Sequence, residues 1–335
     1  MMLVRPKNTL NYRFLFHFLN GQAFQKLIND KVSGSSIPHI FQRDMSGLEM
    51  DVPATVEQVQ IAAVLDTADE AIAKTEAVIA KLKQVRSGLL HDLLTHGLDE
   101  HGQLRPPPAE APNLYKDSLL GKIPKEWEVG AFRNYGSSFR PYLKTGPFGS
   151  SLKQEHWVSE GVPVVTIGSL GEGEFIRSEL LHVSHQTAQK LSAYSLAPGD
   201  IVFSRVADVG RSVVVNEAER GWIMSSNLMW ISLDRRVADA DYAQANIAYN
   251  SAVRSQIWRF VNVAGCDVAN AVVMNSLVLP WAPFNEQKRI ISALRWIDGS
   301  LISEQVTGAK LKLVRAGLMA DLLTGRIRVA TGVFE

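Results

Sequence analysis

The amino-acid sequence predicts an α+β protein in which a globular domain of mixed β-sheet and helices is flanked by two long helices that pair as an antiparallel coiled coil. An internal repeat is the first sign of the long helices. Glu57-Gln58, Ile61, Leu65 and Asp69 return 229 residues later as Glu286-Gln287, Ile290, Leu294 and Asp298, and the offset holds through Asp92-Leu93-Leu94-Thr95 and Asp321-Leu322-Leu323-Thr324. Of the 39 aligned positions 17 are identical, which coincidence does not produce. The second sign is a seam of alternating four- and three-residue steps inside the repeat, the heptad spacing of a coiled coil. Between the copies the character changes, from Ile123-Pro124-Lys125-Glu126-Trp127 onward, to short β-rich runs broken by glycine.

Residues 1–52 read as the tail end of a first globular domain, with an apolar helix at Phe14–Leu27, a turn at Gly34-Ser35-Ser36 and a strand at Met45–Val52. Residues 53–105 hold the first spacer helix. Its seam runs Ile61, Leu65, Ala68, Ile72, Thr75, Ile79, Leu82, Arg86, Leu89 and Leu93, and Thr55, three residues before Gln58, offers a capping-box start. About 40 residues of helix rise roughly 60 Å, a length that suits a spacer. Residues 106–122, opened by Pro106-Pro107-Pro108, are too proline-rich for a helix or an inner strand and read as a linker.

The globular domain spans 123–282, with strands expected at Val162–Ile167, Asp200–Ser204, Ser212–Val215 and Met229–Leu233, a helical stretch at Tyr242–Phe260 and a last strand at Val272–Leu279. Helix, turn, strand and long helix thus follow one another twice. Residues 283–329 repeat the spacer helix, weakened at Glu304 and Gly308 and stopped at Gly325, and 330–335 form a tail. The first spacer carries a net −3 over 53–105 and the second +4 over 283–329, so the two attract each other or copies in a second chain.

Composition narrows the function. A net charge of +1 argues against a generally adhesive nucleic-acid binder, and 46% hydrophobic residues suffice for buried cores. Cys266 is the single cysteine, so the fold does not depend on an internal disulfide, and a cytoplasmic setting fits. No apolar run is long enough for a bilayer span, so no membrane is expected as a partner. An enzyme would need a marked site, and none is visible. Gly146 to Gly149 does not open a helix after a strand, no Gly-x4-Gly-Lys-Ser/Thr exists, and Leu279-Pro280-Trp281-Ala282-Pro283-Phe284 lacks the Asp/Asn-Pro-Pro-aromatic motif of an adenine methylase. The chain reads as non-catalytic.

The residues suited to DNA contact fall in three places. The loop Thr145 to Leu152 has two glycines and the hydroxyls of Ser150 and Ser151, so its backbone can approach a phosphate or base edge, with Lys144 and Lys153 on either side. A structural turn between strands would look the same. Arg205 ends an apolar strand and Arg211 follows Gly210, where guanidinium groups can reach guanine or phosphate, or else pair with Asp200 or Asp208. Asn227, after Ser225-Ser226, could read adenine or simply close a turn. Arg235-Arg236 is most simply a solvated turn. Trp222, Trp230, Trp258 and Trp296 are expected in cores or packing seams, and His156, His182 and His185 have no second ligand cluster at a zinc spacing. Arg86 and Arg315, at matching seam positions, suit helix register or a partner subunit.

The repeated Glu-Gln-x2-Ile-x3-Leu-x3-Asp helix, ending in Gly-Leu-x2-Asp-Leu-Leu-Thr, resembles the conserved spacer of type I restriction-modification specificity subunits. The linker motif Ile123-Pro124-x-Glu126-Trp127, the loop Gly146-Pro147-Phe148-Gly149-Ser150-Ser151-Leu152 and the run Pro198-Gly199-Asp200-Ile201-Val202-Phe203-Ser204-Arg205 extend the resemblance over nearly the whole chain. It implies two target-recognition domains held apart by a coiled coil, each reading half of a split sequence in double-stranded DNA, with the loop at 145–152 near the DNA. It implies modification subunits that bind S-adenosylmethionine and methylate adenine, and a restriction subunit that uses ATP and Mg. The chain itself needs no cofactor. One departure is large: only one recognition domain is complete. Self-dimerisation, a complementing specificity fragment, and a DNA-inactive coiled-coil assembly protein are the readings left open. The family also shows a glycine in the stretch after the arginine, where Val206-Ala207-Asp208 stand here.

Overall fold

The computed structural model describes residues 4–32, 42–45, 47–148, 151–171, 173–206, 209–263 and 268–329. Along the chain come α1 (Tyr12–Leu19), α2 (Gln22–Val32), α3 (Gln42–Met45) and α4 (Thr55–Thr95). Then follow β1 (Tyr115–Ser118), β2 (Gly121–Pro124), β3 (Glu128–Ala131), β4 (Leu143–Thr145), β5 (Trp157–Val158), β6 (Val162–Val165), β7 (Leu181–Val183) and α5 (His185–Lys190). The last part holds β8 (Asp200–Ser204), β9 (Ser212–Val214), β10 (Ile223–Met224), β11 (Leu228–Ser232), α6 (Ala240–Tyr249), α7 (Ser251–Val263), α8 (Ala271–Ser276), β12 (Val278–Trp281) and α9 (Phe284–Leu322). The class is α+β. Two compact units divide the chain, one reaching Val85 and resuming at Ile297, the other covering Arg86–Trp296, so the boundary falls inside both long helices.

In the first unit α4 and α9 run antiparallel. Asp69 pairs with Arg315, Glu76 with Lys312 at 2.7 Å, and Gly308 faces Thr75 and Ile79. The acids stand on α4 and the cations on α9, as the opposite net charges predicted. Every seam position from Ile61 to Leu82 is at least partly buried. Gly308 does not interrupt the seam: it faces Thr75 and Ile79, and a Cβ there would lie 3.5 Å from the Thr75 methyl, ordinary contact. Phe14, Ile61, Leu65, Met319, Leu322 and Leu323 form the core where α1 packs on the two helices.

Several local expectations for this unit change. The helix expected at Phe14–Leu27 is broken into α1 and α2, because the chain caps at Asn20 and turns at Gly21. Among the described residues of 45–52 no strand forms, and α3 ends at Met45. The turn at Gly34-Ser35-Ser36 lies outside the described residues. Thr55 already lies inside α4, and Gln58 makes no capping box. Its amide donates instead to Pro53 O (2.8 Å) and Thr9 O (3.0 Å), and its Oε1 accepts from Asn11 N (2.7 Å).

The second unit is built on the antiparallel sheet β4-β11-β8-β9. Alternation of side chains across a strand sends Ile201, Phe203, Met229 and Ile231 into one core, and Val202, Leu228 and Trp230 into another. The first core takes Tyr242, Ala243 and Ile247 from α6, Val253 and Ile257 from α7, and Leu93 and Ile290 from the long helices. The second takes Val165 and Met224 from the other four-stranded sheet, β10-β6-β7-β5, in which β10 and β6 are parallel. The predicted strands at 162, 200, 212 and 229 are all present within a residue or two.

The single helical stretch expected at Tyr242–Phe260 is two helices that meet at Asn250, whose Oδ1 accepts from Ala252 N (3.0 Å). Most of the strand expected at Val272–Leu279 is α8, capped by Asn270, and only β12 pairs, with β3. Residues 115–124 fold back as the hairpin β1–β2, with Tyr115 and Ile123 buried, so the latter half of the proline-rich stretch is ordered structure.

Candidate nucleic-acid interface

The sheet β4-β11-β8-β9 has one end at which the predicted residues gather. Thr145 closes β4 opposite Met229, Ser204 closes β8 opposite Leu228, and Ser212 opens β9 opposite Phe203. Three segments far apart in sequence therefore leave the sheet at the same place, beginning at Gly146, Arg205 and Ser225. Gly146 fixes the first against the third, since a Cβ there would fall 1.8 Å from Ser225 O, and Gly146 N donates to Leu228 O at 3.0 Å. Beyond it Phe148 stands 82% exposed, Ser151 is exposed and donates its N–H to Phe148 O, and Asn227 is exposed at the tip of the neighbouring turn. Ser150 lies outside the described residues.

Arg205 is tied to this end by backbone on both sides. Its N donates to Asn227 O (3.1 Å) and its O accepts from Ala269 N (2.7 Å). The half-buried guanidinium donates to Ala269 O (3.1 Å) and Ser226 O (3.3 Å), and among the described residues no carboxylate pairs with it. Burial lowers its pKa while leaving it a cation. A partly desolvated cation held only by carbonyls is costly alone and is suited to an anionic ligand. Arg211, one row along, donates from Nη1 to Leu170 O at 2.9 Å, and its own O accepts from Ser204 N. Asp200 partners neither: it is buried, pairs with Arg140 at 2.9 Å and accepts from Ala197 N, and burial raises its pKa against the pull of those partners. Asp208 lies outside the described residues.

The two lysines differ. Lys144 sits on β4 with Nζ 4.9 Å from the Tyr194 ring centre and 5.6 Å from that of Trp230, so cation–π contacts pin it on the sheet face. Lys153 belongs to the turn before β5, in the other sheet, with its N–H on His156 Nδ1 (2.9 Å) and its Nζ 4.0 Å from Glu155. The strand ends thus bring together Lys144, Arg205, Arg211, Asn227 and the start of the loop, and Lys153 stands apart on its own turn. Arg236 is neutralised by Asp234, whose carboxyl it lowers to about 2.

Sequence reasoning missed the carbonyls of Ser226 and Ala269, because a backbone acceptor leaves no residue signature. It also misplaced two tryptophans. Trp222 and Trp230 are buried as expected, but Trp258 and Trp296 are 70% and 72% exposed. Among the described residues no group of three or more His, Cys, Asp or Glu side chains could hold a metal. No described helix is long and apolar enough to cross a membrane.

Several known proteins are similar to this chain. Residues 1–84 match the type I restriction modification DNA specificity domain. A specificity subunit assigned to the type I restriction enzyme MjaX of Methanocaldococcus jannaschii is 27% identical over 336 residues, covering 99% of this chain and 72% of that one. The specificity subunit of the MjaVIII enzyme from the same organism is 20% identical over 94% of this chain and 70% of its own length. The crystal structure of the type I S subunit from M. genitalium shares the fold with a TM-score of 0.55 at 16% identity, covering 94% of this chain and 73% of that one. The chain is similar to type I restriction-modification specificity subunits over most of its length.

Proposed function

We propose that the domain at 123–282 reads one half of a split sequence in double-stranded DNA, and that the chain directs adenine methylation and restriction performed by its partner subunits. The observation that carries this reading is the convergence of Arg205, Arg211, Asn227 and the glycine-closed loop from Thr145 at one end of one sheet. Guanidinium groups there suit guanine or phosphate, the asparagine amide suits adenine, and the loop amides and hydroxyls suit the backbone. Ser150, Ser151 and Lys144 complete that set of contacts, and Lys153 adds a separate contact from its own turn. The spacer helices hold the reader at a fixed distance and receive the modification subunits, which bring S-adenosylmethionine; the restriction subunit brings ATP and Mg. A bipartite target needs a second reader, from another copy of the chain or a complementing specificity fragment. All of this takes place in the cytoplasm, with the genome as substrate.

The test is to co-purify the chain with its modification subunits and map adenine methylation by sequencing genomic DNA. A discrete split motif is expected, and a symmetric one identifies self-pairing. Arg205→Ala or Arg211→Ala weakens specific binding by about 1–3 kcal/mol if the residue reads a base, and unchanged affinity removes it from the site. A stable complex that methylates no motif overturns the reading and leaves the chain as an assembly component.

A further inference from the structure

The outward face of α7 is cationic and aromatic. Arg254, Ser255, Trp258 and Arg259 are all exposed and, at helical spacing, share one side of the helix. Among the described residues neither arginine has a carboxylate partner, and the bond recorded for the Arg254 side chain runs from Nη1 to Ala248 O at 3.2 Å. The face is continuous with the candidate interface. Arg254 lines one surface groove with Gly210 and Arg211, and lines a second with Ser255, Trp258 and Arg259, while Ile257 packs beneath Gly210.

The fold does not require this chemistry. In the first unit α2 follows α1 as α7 follows α6, and its exposed residues include Gln25, Lys26, Asn29 and Asp30. Where α2 exposes one cation and one acid among these, α7 exposes two cations and an indole. Trp258 is 70% exposed and lies between the two arginines in sequence and along the helix. Five residues of helix separate the arginines by about 7.5 Å along the axis, close to two nucleotide rises of roughly 3.4 Å on one strand.

We propose that the Arg254–Trp258–Arg259 face of α7 is a second DNA contact, which grips the sugar-phosphate backbone of the duplex beside the base-reading strand ends. The arginines take phosphates two steps apart on one strand and the Trp258 ring packs on a deoxyribose between them. This rests on the DNA-reading function above and assigns affinity, without sequence preference, to a helix outside the sheet.

The experiment uses the full chain in complex with its modification subunits, binding a duplex that carries the methylated motif and a scrambled duplex across about 50 to 200 mM salt. For the double variant Arg254→Gln/Arg259→Gln, the slope of log affinity against log salt falls by about 2, both duplexes lose affinity by the same factor, and the methylated motif is unchanged. Trp258→Ala lowers affinity for both duplexes with the slope preserved. An unchanged slope in the double variant, with wild-type binding intact, overturns the proposal and spares the DNA-reading function. Loss of the modification subunits from the double variant also overturns it, by identifying the face as a protein interface. A wild-type complex that binds neither duplex sinks both.

Discussion

Two joints in this molecule are built to one plan and finished differently. At the head of α9, Gln287 donates to Ala282 O (2.7 Å) and Val237 O, and accepts from Asp239 N (2.8 Å), where Asp239 caps α6. At the head of α4, Gln58 makes the corresponding three bonds to Pro53, Thr9 and Asn11, where Asn11 caps α1. The helices α1 and α2 are therefore counterparts of α6 and α7, recovered by folding from stretches with little sequence in common. The glutamates beside these glutamines part company. Glu286 is buried, accepts from Leu98 N (2.9 Å) and Trp127 Nε1 (3.1 Å), and takes Arg105 in a two-point pair at 2.6 and 3.1 Å. Glu57 is equally buried but meets Val329 N and the 66% exposed Arg328. The shared Glu-Gln pair makes the joint, and the surrounding domain decides how much it holds.

Glu286→Ala is the sharpest way to separate them. It strands the buried Arg105 and the Trp127 indole, and the expected loss is about 3–5 kcal/mol in a urea denaturation series on the full chain. Glu57→Ala releases an arginine that water can solvate, and is expected to lose roughly 1–2 kcal/mol. Equal losses at the two positions would mean that the joints are energetically alike and that the Arg105–Trp127 cluster adds nothing.

A smaller and symmetric effect is expected one residue along. Gln58 and Gln287 are both about 1% exposed and each makes three bonds to backbone, so Gln58→Ala and Gln287→Ala should each lose about 1–3 kcal/mol, within error of one another. A marked inequality in the same denaturation series would break the equivalence of α1 with α6.

The long helices were legible because a heptad seam and a repeat are properties of residue order alone, and the strands at 162, 200, 212 and 229 because β-branched runs bounded by glycine have a two-residue period. Smaller features were not. Asn20-Gly21, Asn250 and Asn270 each divide or start a helix by side-chain or turn bonds that compete with hydrophobic pattern, so one helix read as long became two and a strand became α8. Arg205 and Asn227 could be named from their position at apolar runs. That Ser226 and Ala269 hold the Arg205 guanidinium could not, since the contact spans 64 residues to one carbonyl and 21 to the other. Residue type alone assigns Trp258 to a core or packing seam, whereas helical phase puts it with the exposed Arg254 and Arg259.

The smallest expected difference concerns an ion pair whose polarity is reversed between the copies. On α1 the cation is Arg13, paired with Asp66 of α4 at 2.6 Å; on α6 the acid is Asp241, paired with Arg295 of α9 at 2.5 Å. Burial raises the Asp241 pKa, with Asp239 adding to the rise and Arg295 opposing it without cancelling it. A carboxyl whose folded pKa lies above its unfolded value gives stability that is complete below the unfolded pKa and is lost as pH rises through the folded one. Asp241→Asn should therefore match the wild type in thermal midpoint at acid pH, and exceed it at neutral pH by no more than about 2 °C. A lower midpoint for the asparagine variant at neutral pH would mean that the Arg295 pair outweighs the burial, and that the reversed pair is a bond the second unit relies on.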